Sequence, residues 1–270
     1  MKQFVSRIGL GYNARMVSDR TQSSNSPLDA VIEQTDYPQS QSVNLPIPVL
    51  ILLMVLPWVW ILLGLWGLKH FMWAIVFYHG LGCLLPFLLW AKPRPPLLGS
   101  RFSLKATLEG ILLGQLCIFV SWYLLGETFF QSDQYVQMLT QFHFEPTLHF
   151  LGFMLFFVGM NPILEELFWR GLVESQWCSR MGKVSGILIA SFGFGAYHWL
   201  LLQTSFTPLG AALATFAIMV GGVIFSTFAR QSGGLLSPIL VHGLGYDLPI
   251  ILLFYIELQQ NTGFTMGLGG

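Results

Sequence analysis

Charge is the scarce ingredient of this chain. Its 270 residues carry 13 Lys and Arg against 13 Asp and Glu, 10% of the total, with a formal net charge of +0. Soluble domains carry roughly 25% charged residues, so a soluble globular fold is excluded. A balanced charge also excludes a nucleic-acid-binding surface, which needs a basic excess. Cysteine is sparse as well: Cys83, Cys117 and Cys178 are scattered, with no CxxC pair. That pattern gives neither a disulfide framework nor a thiolate metal site; the three read as small apolar fillers. There is no HExxH helix, no internal repeat, and no continuous apolar run in the first 44 residues that would make a signal peptide.

What the chain has instead is apolar length. Hydrophobic residues make up 54% of it, and the mean hydropathy is +0.63. A membrane span needs about 20 mostly apolar residues, and seven stretches qualify. They are Leu45 to Leu68, Phe71 to Ala91, Ala106 to Leu125, a fourth from Thr147 through the Glu165-Glu166 pair, Val184 to Leu202, Pro208 to Phe228, and Leu235 to Tyr255. The expected fold is all-α, a polytopic transmembrane bundle of seven helices, with room for an eighth short or re-entrant helix between Gln131 and Phe142. Residues 1–44 are expected to form a polar cytoplasmic tail, 45–146 the N-terminal transmembrane helices, 147–258 a core, and 259–270 a short tail. The loop holding Lys92, Arg94, Arg101 and Lys105 has no acid, and Arg180, Lys183 and Arg230 mark later basic ends. By the positive-inside rule these ends face the cytoplasm, which puts the N-terminus inside and the C-terminus outside. Gly110 and Gly114 form a small-xxx-small pair that lets another helix approach.

Against that background a few polar residues stand out. The fourth span contains Glu165, Glu166 and Arg170, the fifth His198, and the seventh His242 and Asp247. Ionisable groups at membrane depth face the bundle interior, find partners and mark function. On a helix, residues four apart share a face. Glu166 and Arg170 therefore pair, and Glu165, well round the helix from Arg170, is left less neutralised and free to serve as a base. His198 and His242 give it two partners from other spans. His79, mid-span with no charged neighbour in sequence, reads as a core histidine.

These residues resemble a known family, the CPBP (CAAX protease and bacteriocin-processing, or Abi) intramembrane proteases, which include the Ras-converting CAAX endopeptidases. Glu165-Glu166-Leu-Phe-Trp-Arg170 meets the family's Glu-Glu-xxx-Arg motif and Phe194-Gly-Ala-Tyr-His198 its Phe-xxx-His motif. Gly222 through His242 is similar to its last segment. The resemblance covers about Leu148 to Tyr255 and departs in one place. The family has Asn or Asp four residues after the last histidine, where this chain has Tyr246, with Asp247 one later. On a regular helix Asp247 points away from His242, so either the Tyr246 phenol takes the role or a bulge near Gly243 and Gly245 brings Asp247 round.

The resemblance implies hydrolysis of a peptide bond in a membrane-associated protein or peptide. Glu165 is the general base for a water and Glu166–Arg170 its brace. His198 positions the water, and His242 with Tyr246 or Asp247 stabilises the oxyanion. No cofactor is required by that scheme. A zinc-dependent protease would use Glu165, His198 and His242 as a two-histidine, one-carboxylate set. From other classes, a membrane transporter or proton relay, or a scaffold or immunity-type protein, would use the same buried groups without hydrolysis.

Overall fold

The structure, a computed structural model, describes residues 44–92, 94–143 and 146–262. The expected polar tail before Asn44 and the last residues of the C-terminal tail lie outside the described residues. Seven helices among the described residues are long and apolar enough to cross a membrane. They are α1 (Ile47–Gly67), α2 (Phe71–Trp90), α3 (Leu104–Phe129), α5 (Phe150–Met181), α6 (Lys183–Leu202), α7 (Pro208–Ser232) and α8 (Leu236–Asn261). A shorter helix, α4 (Ser132–Gln141), lies between α3 and α5. Its ten residues reach about 15 Å at 1.5 Å each, too little to span. Its apolar side seats Tyr135 and Leu139 in a cluster with Phe130, Phe150, Ile251 and Leu258. The protein is thus an all-α helical membrane bundle, and the segment between Gln131 and Phe142 supplies the additional short helix.

Polar caps and tight joints set the helix ends. Ser103 accepts a hydrogen bond from Ala106 N (3.3 Å) and Thr207 from Gly210 N (3.2 Å), each satisfying a first-turn donor. α5 passes to α6 through Gly182, at φ 80°, and α7 ends on Gly233, at φ 72°; both conformations suit glycine. The segment before α3 packs against the α7–α8 joint through Leu235 N to Pro96 O, Leu236 N to Leu97 O and Arg101 N to Ser232 O. At the same end Arg230 Nη2 reaches Glu174 Oε1 (2.8 Å), tying α7 to α5.

Five stretches widen into π-helical turns with i→i+5 bonding: Leu63–Gly67, Phe77–Leu84, Phe156–Met160, Trp169–Glu174 and Val241–Asp247. Such turns are rare and concentrate at functional sites. Three of them end two residues before a proline, namely Pro86, Pro162 and Pro249. Proline has no N–H to give the carbonyl four residues earlier, and its ring crowds that carbonyl; a wider turn relieves both.

α3 closes the bundle on the C-terminal side. A Cβ on Gly114 would lie 2.8 Å from the Tyr246 ring and 2.9 Å from Gly245 O, and one on Gly110 3.0 Å from Val241. The small-xxx-small pair is therefore the seat of the Val241–Asp247 turn. The outward side of α3, with Leu112, Leu113, Leu116 and Leu124, is exposed, as a lipid-facing surface should be.

Candidate active site

α5, α6, α8 and α2 converge on one buried polar cluster. Its base is the pair expected from the helical spacing: Arg170 Nη1 donates to Glu166 Oε1 at 3.0 Å, with side chains 3% and 0% exposed. The second arm of the guanidinium donates to Gly222 O on α7 at 3.0 Å. Its flat faces meet aromatic rings, with Cζ 4.5 Å from the centre of Phe194 and 5.2 Å from that of Phe225. A buried charge of this kind needs full compensation, and Arg170 receives it from a carboxylate, a carbonyl and two π faces.

Glu166 passes the organisation on to α8. Its Oε1 accepts from His242 Nδ1 at 3.0 Å, which makes that nitrogen the N–H and turns Nε2 inward. The imidazole lies parallel to Phe225 (4.6 Å, 18°) and edge-on to Phe194 (5.8 Å, 88°). Nε2 then faces two carboxylates, Glu165 Oε2 at 3.6 Å and Asp247 Oδ1 at 3.5 Å. Both separations exceed a direct hydrogen bond and suit a bridging water or substrate atom.

Glu165 is held from its other side. Tyr78 of α2 donates to Oε1 at 2.6 Å, and the Tyr197 hydroxyl of α6 donates to the same oxygen. The two phenols touch each other at 2.6 Å, and Trp169 Nε1 donates to Tyr78 at 3.4 Å. Neutral donors rather than a cation therefore fix this carboxylate. Its Oε2 is buried and makes no hydrogen bond within the protein. One oxygen is pinned and the other is free, facing His242.

His198 follows Tyr197 directly. Its Nδ1 is tied to Phe194 O one turn back (2.8 Å), and its ring sits edge-on to Phe194 (5.3 Å, 69°). Nε2 is the nitrogen left for other work. His198 is an electrostatic neighbour of Glu165 and His242, but it makes no hydrogen bond to either.

The departure at the end of the motif region has a structural answer. The Val241–Asp247 stretch is π-helical, so Asp247, five residues after His242, comes round beside it. Tyr246 turns away and packs its ring edge-on against Phe225 (5.1 Å, 88°), its phenol making no hydrogen bond with His242. Of the two alternatives, the bulge is the one the chain adopts.

Four residues join the cluster that spacing did not single out: Tyr78, His79, Asn161 and Tyr197. His79, expected in the core, is indeed buried, but Nε2 lies 2.6 Å from Asn161 Oδ1 and Nδ1 2.9 Å from Ile75 O. Asn161 Nδ2 in turn donates to Asp247 Oδ2 at 3.0 Å. The signal was the run Tyr78-His79-Gly80 in the middle of an apolar span, and Asn161 ahead of Pro162. As for zinc, no group of three or more His, Cys, Asp and Glu side chains among the described residues is arranged to hold a metal ion. Glu165, His198 and His242 share a neighbourhood in which Nδ1 of each histidine is given to Phe194 O or Glu166 and each Nε2 is left over.

Comparison with protein families matches residues 147–245 to the model described as Type II CAAX prenyl endopeptidase Rce1-like. The match takes in Glu165, Glu166, Arg170, His198 and His242, and it stops short of Tyr246 and Asp247. Tyr78 and His79 on α2 lie outside it. No curated protein and no solved structure matches the chain. Residues 147–245 are thus similar to the Rce1-like type II CAAX prenyl endopeptidases, and they lie within an all-α membrane bundle.

Proposed function

We propose that this protein is an intramembrane endopeptidase that hydrolyses a peptide bond of a membrane-associated protein or peptide with a water activated by Glu165. The observation that carries this reading is the divided state of the Glu165 carboxylate. Two tyrosines pin Oε1, and the buried Oε2 is unpartnered and faces His242 Nε2. A general base needs that combination of fixed direction and a free lone pair. A water seated between Glu165 and His242 loses a proton to Oε2 and attacks the carbonyl carbon. The oxyanion then takes a hydrogen bond from Nε2–H of a doubly protonated His242, while His198, whose Nδ1 hydrogen goes to Phe194 O, accepts from the water through Nε2 and positions it. Preorganised donors of this kind contribute about 2.7–4 kcal/mol each to the transition state. Glu165 returns the proton to the leaving amine.

Glu166 and Arg170 act one step back: Glu166 accepts from Nδ1–H and so favours the doubly protonated His242 whose Nε2–H points at the reaction. Asp247, as a carboxylate, has no N–H of its own, and its Oδ1 lies 3.5 Å from His242 Nε2, so oxyanion donation rests on His242. The basic ends of the helices favour a cytoplasmic N-terminus, and the family description favours a prenylated C-terminal substrate. The test is a comparison of membrane peptides in cells carrying the wild type and Glu165→Gln. A precursor that accumulates only with the variant is expected; identical peptide sets would contradict the reading.

A further inference from the structure

The chain His79–Asn161–Asp247 carries an arithmetic of protons that the reaction scheme does not use. His79 Nδ1 lies 2.9 Å from Ile75 O, and a carbonyl can only accept, so Nδ1 must bear a hydrogen. Nε2 lies 2.6 Å from Asn161, and the other end of that amide lies 3.0 Å from Asp247 Oδ2. An amide has one accepting end and one donating end, and it can be turned either way. With Asn161 Oδ1 towards His79, Nε2 must also be an N–H, so the ring is an imidazolium and Asp247 a carboxylate. With the amide reversed, Nδ2 donates to a neutral His79, and Asp247 must be a carboxylic acid donating to Oδ1. Either arrangement satisfies both contacts with one added proton. With no added proton an acceptor faces an acceptor in either arrangement, and a second proton fits only on Asp247 Oδ1, outside the chain of contacts.

The charge around the site agrees. Glu165, Glu166 and Asp247 surround His242, and Arg170 pairs with Glu166, leaving two negative charges in a buried cluster; uncompensated charges there are strongly unfavourable. One proton can reside on His242, which faces all three carboxylates. The second belongs to the His79–Asp247 pair. Facing the pair are Glu165 and Glu166 from α5, His242 from α8, and Tyr78 from α2. Phe156 and Phe157 set their rings edge-on to His79 (4.9 and 6.3 Å) and shield it.

We propose that His79, Asn161 and Asp247 form a one-proton relay in which His79 is a positioning residue. The relay sets whether the group beside His242 Nε2 is a carboxylate or a neutral acid. Passing between the two forms moves one proton from His79 Nε2 to Asp247 Oδ2 while the Asn161 amide turns end for end; no other bond changes. The carboxylate form holds the His242 Nε2–H towards Oδ1, and the acid form, a weaker acceptor, releases it to an oxyanion. The relay therefore deepens the proposed hydrolysis and rests on His242 being a reacting group.

The test has two arms on the purified full-length protein. Histidine-selective 15N NMR and infrared difference spectra against Asp247→Asn read the relay without any substrate. Either a doubly protonated His79 or a protonated carboxyl band that vanishes in Asp247→Asn is expected. Finding neither, or both fully populated at once, would overturn the relay. The second arm measures cleavage of a farnesylated CAAX peptide in proteoliposomes for His79→Phe, with and without Asp247→Asn. The His79 change should lower the rate on the order of tenfold in the native background and by no more than about twofold beside Asp247→Asn. Equal losses in both backgrounds would assign His79 to packing alone. If Glu165→Gln cleaves like the wild type, the proposed hydrolysis fails, and the spectra still decide the relay.

Discussion

Replacing Arg170 with methionine tests whether the site is built from the bottom, as the geometry implies. The change keeps an apolar side chain of similar reach between Phe194 and Phe225 but removes the guanidinium that pairs with Glu166. That carboxylate is 0% exposed, and its remaining charged partner is His242 Nδ1 at 3.0 Å. Breaking a buried pair from one side typically destabilises by about 3–5 kcal/mol, because the orphaned charge cannot reach water. The same substitution at Lys105, whose pair with Glu109 is 86% and 65% exposed, should move stability by less than about 1 kcal/mol. Reversible unfolding in mixed micelles reads both. A second variant separates charge from packing: Arg170→Met with Glu166→Gln leaves no orphaned charge and should recover most of the lost stability. Proteolysis should stay low in that double variant, because the Gln side chain cannot hold His242 as a carboxylate does. The reasoning fails if Arg170→Met is no more destabilising than Lys105→Met, or if the double variant is as unstable as the single.

Tyr78→Phe and Tyr197→Phe each remove one donor to Glu165 Oε1. Each should lower the cleavage rate by roughly 10- to 100-fold, the range of a hydrogen bond to a charged group, with folded yield unchanged by gel filtration. Gly114→Val pushes into Gly245 O and the Tyr246 ring. It should displace the α8 turn and cost both activity and about 1–3 kcal/mol of stability by overpacking; Gly152→Val, with nothing within 4 Å of its Cβ position, should do neither. Cleavage should survive exhaustive chelation, measured after dialysis against EDTA and phenanthroline, since a water activated by the Glu165 carboxylate needs no metal.

The spans were legible because the bilayer imposes a length and a composition, and apolar runs such as Pro208–Ser232 meet both. The Glu166–Arg170 pair was legible because four residues is nearly a full helical turn. What escaped were consequences of helices that depart from 100° per residue. Asp247 reaches His242 only through a π-helical turn, and its neighbour Pro249 is the local reason for one. The prolines at 86, 162 and 249 all follow such turns, and all three turns hold or adjoin cluster residues: Tyr78 and His79, Asn161, and His242 with Asp247. A proline two residues past a polar, glycine-containing stretch is thus a signal present in the sequence. His79 was read as core because periodicity sees only its own helix. Its burial was foreseeable; its partner, Asn161, is 82 residues away.

The central claim is that Glu165 activates the water. Reconstituted wild type, Glu165→Gln and Glu109→Gln can be compared for cleavage of a farnesylated CAAX peptide in proteoliposomes, with product mass read directly. Glu109, exposed near the start of α3, serves as the control carboxylate. Loss of a general base lowers rates by about 10²–10⁴-fold. Glu165→Gln should fall in that range while Glu109→Gln stays near the wild type. A Glu165→Gln protein that cleaves within about tenfold of wild type would contradict the account.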